Sequence, residues 1–410
     1  MKILEVNKFN YVQGGADKHF LDLVNLLKVK GNEVAVFSME NPKNEFSPWK
    51  KYFVSYVGYG KNDSWQEKLI GAFRMFYSFE AKRKIKKMLD DFQPDIVHIH
   101  NIYHQISPSI LGEIKKRKIP IVMTVHDYKL ICPNYLLQCN GNTWDESGKN
   151  KYMDFVRHKC FKNSYLKSLL VCLEFCWHKY CNSYDKNIDR YIVPSQFTKT
   201  KLIAAGFRRD KIEILPLFIR EPDYCEMFKI EIKEKFAIHF GRLSKEKGVD
   251  RLIEIFKNFP EIKLYLAGNI EGDLEIPDLP NIKHIGFLKQ IELERYVKNS
   301  LFVVSPSRLP ETFGLIALEA IKNGKPFIGF QSGAFSEIIE DDREGYLCQN
   351  EQEMHERIAL LSRDEGLRVL FSRQALEKSK KFNSEDCYIK IIKLFDEIGI
   401  ERKNLDNIRV

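Results

Sequence analysis

The sequence predicts an α/β protein made of two doubly wound, mostly parallel sheets. Three observations carry this reading. Short apolar strand candidates alternate with amphipathic helical runs along most of the 410 residues, and such alternation covers both faces of a parallel sheet with helices. The pattern runs twice, with a join around Leu215–Lys235 that Pro216 and Pro222 interrupt. The length is also right, since a domain takes on the order of 150 residues.

The elements follow in order. Lys2–Val6 is a strand candidate, Gly14-Gly15 comes next, and then an amphipathic run through Phe20, Leu23, Val24 and Leu27. Gly31 punctuates its end and Glu33–Phe37 is the next strand, which completes a βαβ unit. Further strands are expected at Asp95–Ile99, Pro120–Val125 and Tyr191–Val193. The second series has strands at Ala237–Phe240, Lys263–Ala267, Ile282–Ile285, Leu301–Val304 and Pro326–Phe330. Its helices are expected at Val249–Asn258, near Ile291–Val297 and over Thr312–Asn323, the last stopped by Gly324 and Pro326. The tail from Glu351 to about Ile400 reads as helical.

Composition excludes several classes. With 44% hydrophobic and 30% charged residues the chain is neither disordered nor collagen-like. No run reaches the roughly 18 apolar residues of a membrane span, and the start lacks a signal-peptide pattern, so a cytoplasmic protein is expected. Lys and Arg number 65 against 56 Asp and Glu, a net charge of +9. A basic surface suits phosphates or an anionic membrane, while nucleic acid has only the net charge in its favour. Nine cysteines, an odd count in a long chain, point to thiols.

Ligands of open α/β sheets bind outside the carboxyl ends of the strands, and unusual residues fall there. Gly14-Gly15 follows the first strand, where a close backbone approach to a ligand or a plain tight turn are both readings. It is not a dinucleotide fingerprint, which disfavours a nicotinamide oxidoreductase. His126-Asp127 ends IVMTV. Arg242 and Lys247 lie in GRLSKEKG between a strand and a helix; a rigid fork and a mobile ammonium there suit a diphosphate, against the plainer alternative of two solvated charges. Glu311 and Glu319 flank the start of an apolar helix, and a helical eight-residue separation spans roughly 12 Å, comparable to the reach across a diphosphate. Thr312-Phe313-Gly314 offers free N–H groups between them. A buried glutamate needs partners, which weighs against a surface role for Glu319.

PETFGLIALEAIKNGKPFI resembles the E-x7-E signature of retaining glycosyltransferases of family 4 with the GT-B architecture, in which two Rossmann-like domains face each other across a cleft. GRLSKEKG is similar to that family's donor-phosphate motif, and PDIVHIHN, TVHD and the opening strand–GG–helix to its N-terminal domain. The resemblance extends to about residue 380 and implies an acceptor-binding domain over 1–215, a nucleotide-sugar donor domain over 216–382 and a C-terminal helix, 383–410, crossing back to the first. By the same resemblance Arg242 and Lys247 would hold the donor diphosphate, Glu319 the ribose hydroxyls and Glu311 the transferred sugar. Thr312, Phe313, Gly314 and Leu315 would supply backbone donors, His126 would sit by the sugar, and Gly15 would approach the phosphate or the acceptor. The family's Glu-Gly-Phe-Gly is Glu311-Thr312-Phe313-Gly314 here, with Thr312 a reasonable helix cap.

The implied reaction is retaining transfer of a sugar from a nucleoside diphosphate to a saccharide or lipid-linked hydroxyl, in surface polysaccharide or lipopolysaccharide assembly. No metal cofactor is expected, because the two cations and the helix start stabilise the leaving group and no Asp-x-Asp motif is present. A nucleotide-sugar epimerase and a non-catalytic nucleotide-sugar binder are the alternatives. Two further segments stand out. Cys132, Cys139, His158 and Cys160 are zinc-ligand residue types without the paired spacing, so buried thiols at the three cysteines are favoured over a zinc site, and Cys172 and Cys176 in an apolar helix read as core. Residues 67–92 form a basic, aromatic helical stretch that packs on the sheet or lies on an anionic membrane.

Overall fold

The computed structural model describes residues 1–57, 65–139, 142–144, 151–220 and 234–408. The chain divides into two compact units, one of Met1–Pro216 with Glu385–Val410 and one of Leu217–Ser384. In the first, the strands are β1 (Lys2–Val6), β2 (Glu33–Phe37), β3 (Ile96–Ile99), β4 (Ile121–Thr124), the short β5 (Gln138–Cys139) and β6 (Asn142–Thr143), then β7 (Arg190–Val193) and β8 (Ile212–Ile214). The helices are α1 (Gly15–Val29), α2 (Trp65–Phe76), α3 (Phe79–Phe92), α4 (Leu111–Lys116), α5 (Lys151–Arg157), α6 (Tyr165–Tyr180) and α7 (Gln196–Ala204). Six strands form one parallel sheet in the order β2-β1-β3-β4-β7-β8, and β5 and β6 pair as a separate antiparallel hairpin. Strands covered on both faces read as near-continuous apolar runs, and β3 and β4 are buried along their whole length, with His98 and Thr124 as their polar members.

The second unit repeats the plan. Its sheet runs β11-β10-β9-β12-β13-β14, formed by β9 (Phe236–Phe240), β10 (Lys263–Ala267), β11 (Ile282–Gly286), β12 (Val303–Ser305), β13 (Phe327–Phe330) and β14 (Gly345–Cys348), all parallel. Around it lie α8 (Val249–Phe256), α9 (Gln290–Asn299), α10 (Leu315–Lys322), α11 (Phe335–Ile338), α12 (Glu351–Arg363) and α13 (Glu365–Ser379). Apolar clusters fill both faces, one around Leu252, Phe256 and Ile358 and the other around Phe313, Leu318 and Phe335. The last helix, α14 (Ser384–Ile408), belongs to the first unit from Glu385 on. Phe395 meets the His98 ring edge-on at 5.5 Å, and Arg402 makes a double hydrogen bond to Asp189 at 2.6 and 2.8 Å.

Several expectations change. The helix read as Thr312–Asn323 starts at Leu315, because Gly314, at φ +99°, takes the N-cap in the left-handed region; Thr312 is therefore part of the preceding turn and does not cap the helix. The stretch 67–92 is two helices, broken at Tyr77-Ser78, where Ser78 Oγ caps α3 by accepting from Ala81 N–H. Strands β8 and β14, three and four residues long, are additions to the expected set.

The thiol expectation fails for two cysteines. Cys139 and Cys160 form a disulfide, with their Cα atoms 4.9 Å apart. The hairpin β5–β6 and the turn after α5 bring together positions 21 residues apart, a proximity invisible in their spacing. Sulfurs so joined offer no thiolate to a metal. Cys132 is a separate buried thiol bonded to Asn134, and Cys172 is buried with its thiol pushed up to about 12 by burial.

Candidate active site

In the second unit the strand-end residues converge. Beyond β9, Gly241 and Arg242 open a loop that is laced to the loop after β10 by Leu243 N–H to Asn269 O at 3.0 Å and Glu271 N–H to Leu243 O at 2.9 Å. Arg242 lies 3.6 Å from Glu271 in a solvent-accessible pair, an interaction worth little by itself. The loop ends at Gly248, the N-cap of α8. A Cβ there would lie 2.6 Å from Pro306 O, and φ is +77°, so only glycine lets the loop lie against the segment after β12. That contact places Lys247 beside Ser307 and Glu311. Lys247 Nζ and Ser307 Oγ both donate to Glu311 Oε1, the latter at 3.0 Å.

The backbone of Glu311 is held from the other side. Gly333, at φ +61°, brings the loop after β13 so close that a Cβ would sit 2.2 Å from Glu311 N. Ala334 N–H donates to Glu311 O at 2.9 Å, and Ser332 Oγ donates to Leu309 O at 2.8 Å. Phe313 is buried against Phe382, and Gly314 faces the Phe335 ring. The N–H groups of Leu315 and Ile316 open α10, where an anion is favoured. Glu319 is only 6% exposed, one turn further on. His239 is buried in β9 with Nδ1 donating to Val304 O at 2.9 Å. Burial, opposed by that bond and aided by the Lys247 cation, lowers its pKa to about 4.

In the first unit, a polar chain crosses the ends of β1, β3 and β4. Glu5 and His98 are register partners on adjacent strands. Glu5 Oε1 meets His98 Nδ1 at 3.0 Å and Oε2 meets His100 Nε2 at 2.9 Å. His98 Nε2 lies 2.8 Å from Thr124 Oγ1, and His100 Nδ1 lies 2.8 Å from His126 Nε2. His19 of α1 stands edge-on to His126 at 5.6 Å. Burial first, then the neighbouring imidazoles His100 and His98, hold His126 well below the ordinary histidine range, and burial does the same to His100 and His19. Gly15 is the first residue of α1. Gly14, its cap, is in extended backbone with nothing near a would-be Cβ, and its N–H donates to Asp17 at 3.2 Å. Any residue tolerates that conformation, so the glycine pair is not demanded by local packing at Gly14.

Residues 13–221, about half of the chain, match the family model described as Glycosyltransferase Family 4, and residues 226–378 match Glycosyl transferases group 1. The chain belongs to glycosyltransferase family 4. It is 25% identical over 412 residues to an uncharacterized glycosyltransferase of Methanocaldococcus jannaschii, covering 97% of this chain and 99% of that one. An uncharacterized 42.6 kDa protein in the cps region of Klebsiella pneumoniae is 25% identical over 351 residues, 82% of this chain and 87% of the other. Among solved structures, Anabaena HepE in complex with UDP and glucose superimposes with a TM-score of 0.63 at 17% identity, over 97% of this chain and all of that one. The fold is thus the GT-B architecture of two Rossmann-like units, and the protein is a glycosyltransferase.

Of the residues singled out in the glycosyltransferase sequence, Lys247 and Glu311 are in direct contact, and Arg242, Thr312, Phe313, Gly314, Leu315 and Glu319 share their unit. His126 and Gly15 lie in the other. Sequence reasoning missed Ser307, Gly333 and Glu5. A usable signal existed for Glu5: a glutamate in an apolar strand, and two histidines at i and i+2 of another, each predict same-face polar groups that need buried partners.

Proposed function

We propose that this glycosyltransferase moves a sugar, with retention, from a nucleoside diphosphate to a hydroxyl of a saccharide or lipid-linked acceptor. The observation that carries the reading is the Lys247–Glu311–Ser307 cluster at the strand ends, beside Arg242 and the start of α10. Arg242 and Lys247 hold the diphosphate. As it arrives at Lys247 it competes with Glu311, which releases the carboxylate to accept sugar hydroxyls. Thr312, Phe313, Gly314 and Leu315 offer backbone donors, Glu319 binds the ribose, Gly15 approaches the phosphate or the acceptor, and His126 meets the sugar.

In the reaction the bond from the anomeric carbon to the phosphate oxygen breaks and the bond to the acceptor oxygen forms on the same face. The acceptor's proton passes to the departing phosphate. Charge growing on the diphosphate is met by fixed cations and helix N–H groups, so the reading needs no metal cofactor. The UDP and glucose of the HepE complex support the donor class, and the cps-region relative supports a surface polysaccharide product.

An anionic membrane on the cytoplasmic side is the proposed place of work. No described helix is long and apolar enough to cross a membrane. Helix α6 nevertheless exposes Leu166, Leu169, Leu173, Trp177 and Tyr180 along one stripe, with Lys167 and Lys179 also exposed. Helix α2 packs against it and exposes Leu69, Ile70 and Phe73, the last 73% accessible. An apolar stripe edged by lysines suits lipid headgroups.

The test is a thermal-shift screen with UDP-, GDP- and ADP-sugars, followed by transfer assays of Arg242→Ala and Lys247→Ala. One donor class is expected to raise the melting temperature, and both variants are expected to lose at least about 100-fold in turnover, the scale of removing one preorganised charge-stabilising group, with circular dichroism unchanged. Near-normal turnover in both variants would refute the assignment.

A further inference from the structure

Glu311 is held unevenly. Its backbone is fixed by the close approach of Gly333 and by Ala334 N–H. Oε1 accepts from Lys247 Nζ and, at 3.0 Å, from Ser307 Oγ, whereas Oε2 has no hydrogen-bond partner among the described residues. The side chain retains 20% of its accessible surface. The two donors on Oε1 differ in what a ligand can do to them. Lys247 is an ammonium on a flexible stem and carries the charge that a diphosphate attracts. Ser307 is neutral, only 2% exposed, and has a single rotatable proton. It follows Pro306, whose carbonyl lies too close to Gly248 for a Cβ there, so the segment that carries the hydroxyl is pinned and does not follow the cation.

We propose that Ser307 is a positioning residue that keeps Glu311 in place while Lys247 changes partner from the carboxylate to the diphosphate. The inference deepens the proposed function and rests on it for the roles of Lys247 and Glu311. In the donor-free chain the ammonium and the hydroxyl share Oε1. Once the diphosphate takes the ammonium, the hydroxyl is what remains on that oxygen. A hydrogen bond to a carboxylate is stronger than one between neutral groups, and the burial of Ser307 shields it from water. It stops the carboxylate from swinging after the cation and leaves Oε2 to accept from sugar hydroxyls. The role is conditional on the donor. Before the donor binds, Lys247 covers for a missing hydroxyl; afterwards no other donor among the described residues bonds Oε1.

The experiment compares Ser307→Ala and Ser307→Thr with the wild-type chain. Its ligands are the UDP-, GDP- or ADP-sugar that the thermal-shift screen selects and the matching sugar-free diphosphate. Calorimetry measures affinity, and the transfer assay measures kcat and KM. Ser307→Ala is expected to bind the sugar-free diphosphate within about two-fold of wild type and to lose about 10- to 100-fold in kcat, the scale of one hydrogen bond to a charged group. Ser307→Thr keeps the hydroxyl and is expected to recover most of kcat. In a Glu311→Ala background, Ser307→Ala is expected to cost nothing further, because two residues that act through one group are not additive. Unaltered kcat in Ser307→Ala overturns the proposal. An equal loss of sugar-free diphosphate binding also overturns it, as does Ser307→Thr no better than Ser307→Ala, since both mark lost packing at a buried position. A full additive loss in the Glu311→Ala background overturns it too, and that comparison holds even where Ser307→Ala lowers the melting temperature. A wild-type chain that binds none of the nucleotide sugars overturns the proposed function and this inference together, whereas normal turnover in Ser307→Ala overturns this inference alone.

Discussion

His239 makes the stability of the second unit depend on pH by an amount the structure sets. The ring is buried in β9 within reach of the Lys247 charge, Nδ1 donates to Val304 O at 2.9 Å, and Nε2 has no hydrogen-bond partner among the described residues. Its folded pKa is about 4 against an ordinary 6.5, with burial the leading cause. The folded pKa is depressed, so the unfolded chain takes up the proton first as pH falls. The contribution is therefore complete above about pH 6.5, is lost progressively below it, and levels off near pH 4. At pH 5 these two values give a loss of about 2 kcal/mol relative to neutral pH. His239→Asn removes the titration, and its amide can still donate to Val304. Urea unfolding at pH 7 and pH 5 measures the difference. All four tryptophans lie in the first unit, so amide exchange in β9 and β12 should report on the second. The variant is expected to lose about 2 kcal/mol less than the wild type between the two pH values. Equal losses in both proteins would refute the argument.

Three further outcomes are expected. Gly333→Ala should cost about 2 kcal/mol or more, since a Cβ at a left-handed φ also meets the Glu311 backbone; it should depress transfer more than donor binding at Arg242, and calorimetry with kinetics separates the two. Leu173→Glu together with Trp177→Glu should abolish flotation with phosphatidylserine vesicles while leaving the melting temperature within a few degrees, whereas vesicle binding equal to wild type would exclude the α6 stripe as the lipid contact. Cys139 and Cys160 should appear as one cross-linked peptide in a non-reducing digest of air-oxidised protein, and closing a loop of that length should stabilise the first unit by about 3 kcal/mol over the reduced form.

Some of this was legible in the residues and some was not. Both wound sheets could be read from runs such as FAIHF and KLYLA, because a strand covered on two faces reads as a near-continuous apolar run and not as an alternating one. The candidate donor motif was equally plain, since a glycine-bounded pair of cations and a pair of glutamates around an apolar helix are unusual choices for exposed sequence. Helix ends were less legible. Gly314 could continue or cap a helix, and in the fold it sits at φ +99° as the N-cap, where a Cβ would meet the Phe335 ring, so that α10 starts at Leu315.

What the sequence determined by itself was therefore periodic: the strands, the amphipathic helices, the duplicated plan and the residue types at the strand ends. Tertiary structure decided which side chains meet across long separations. It paired Lys247 with Glu311, 64 residues apart, Glu5 with His98 and His100, more than 90 apart, and Cys139 with Cys160. It also left the α6 stripe uncovered, although its spacing would serve equally well for a buried helix. The physical reason is that periodicity encodes which face of an element is apolar, whereas the partner of that face depends on strand order and loop path, which no local pattern carries.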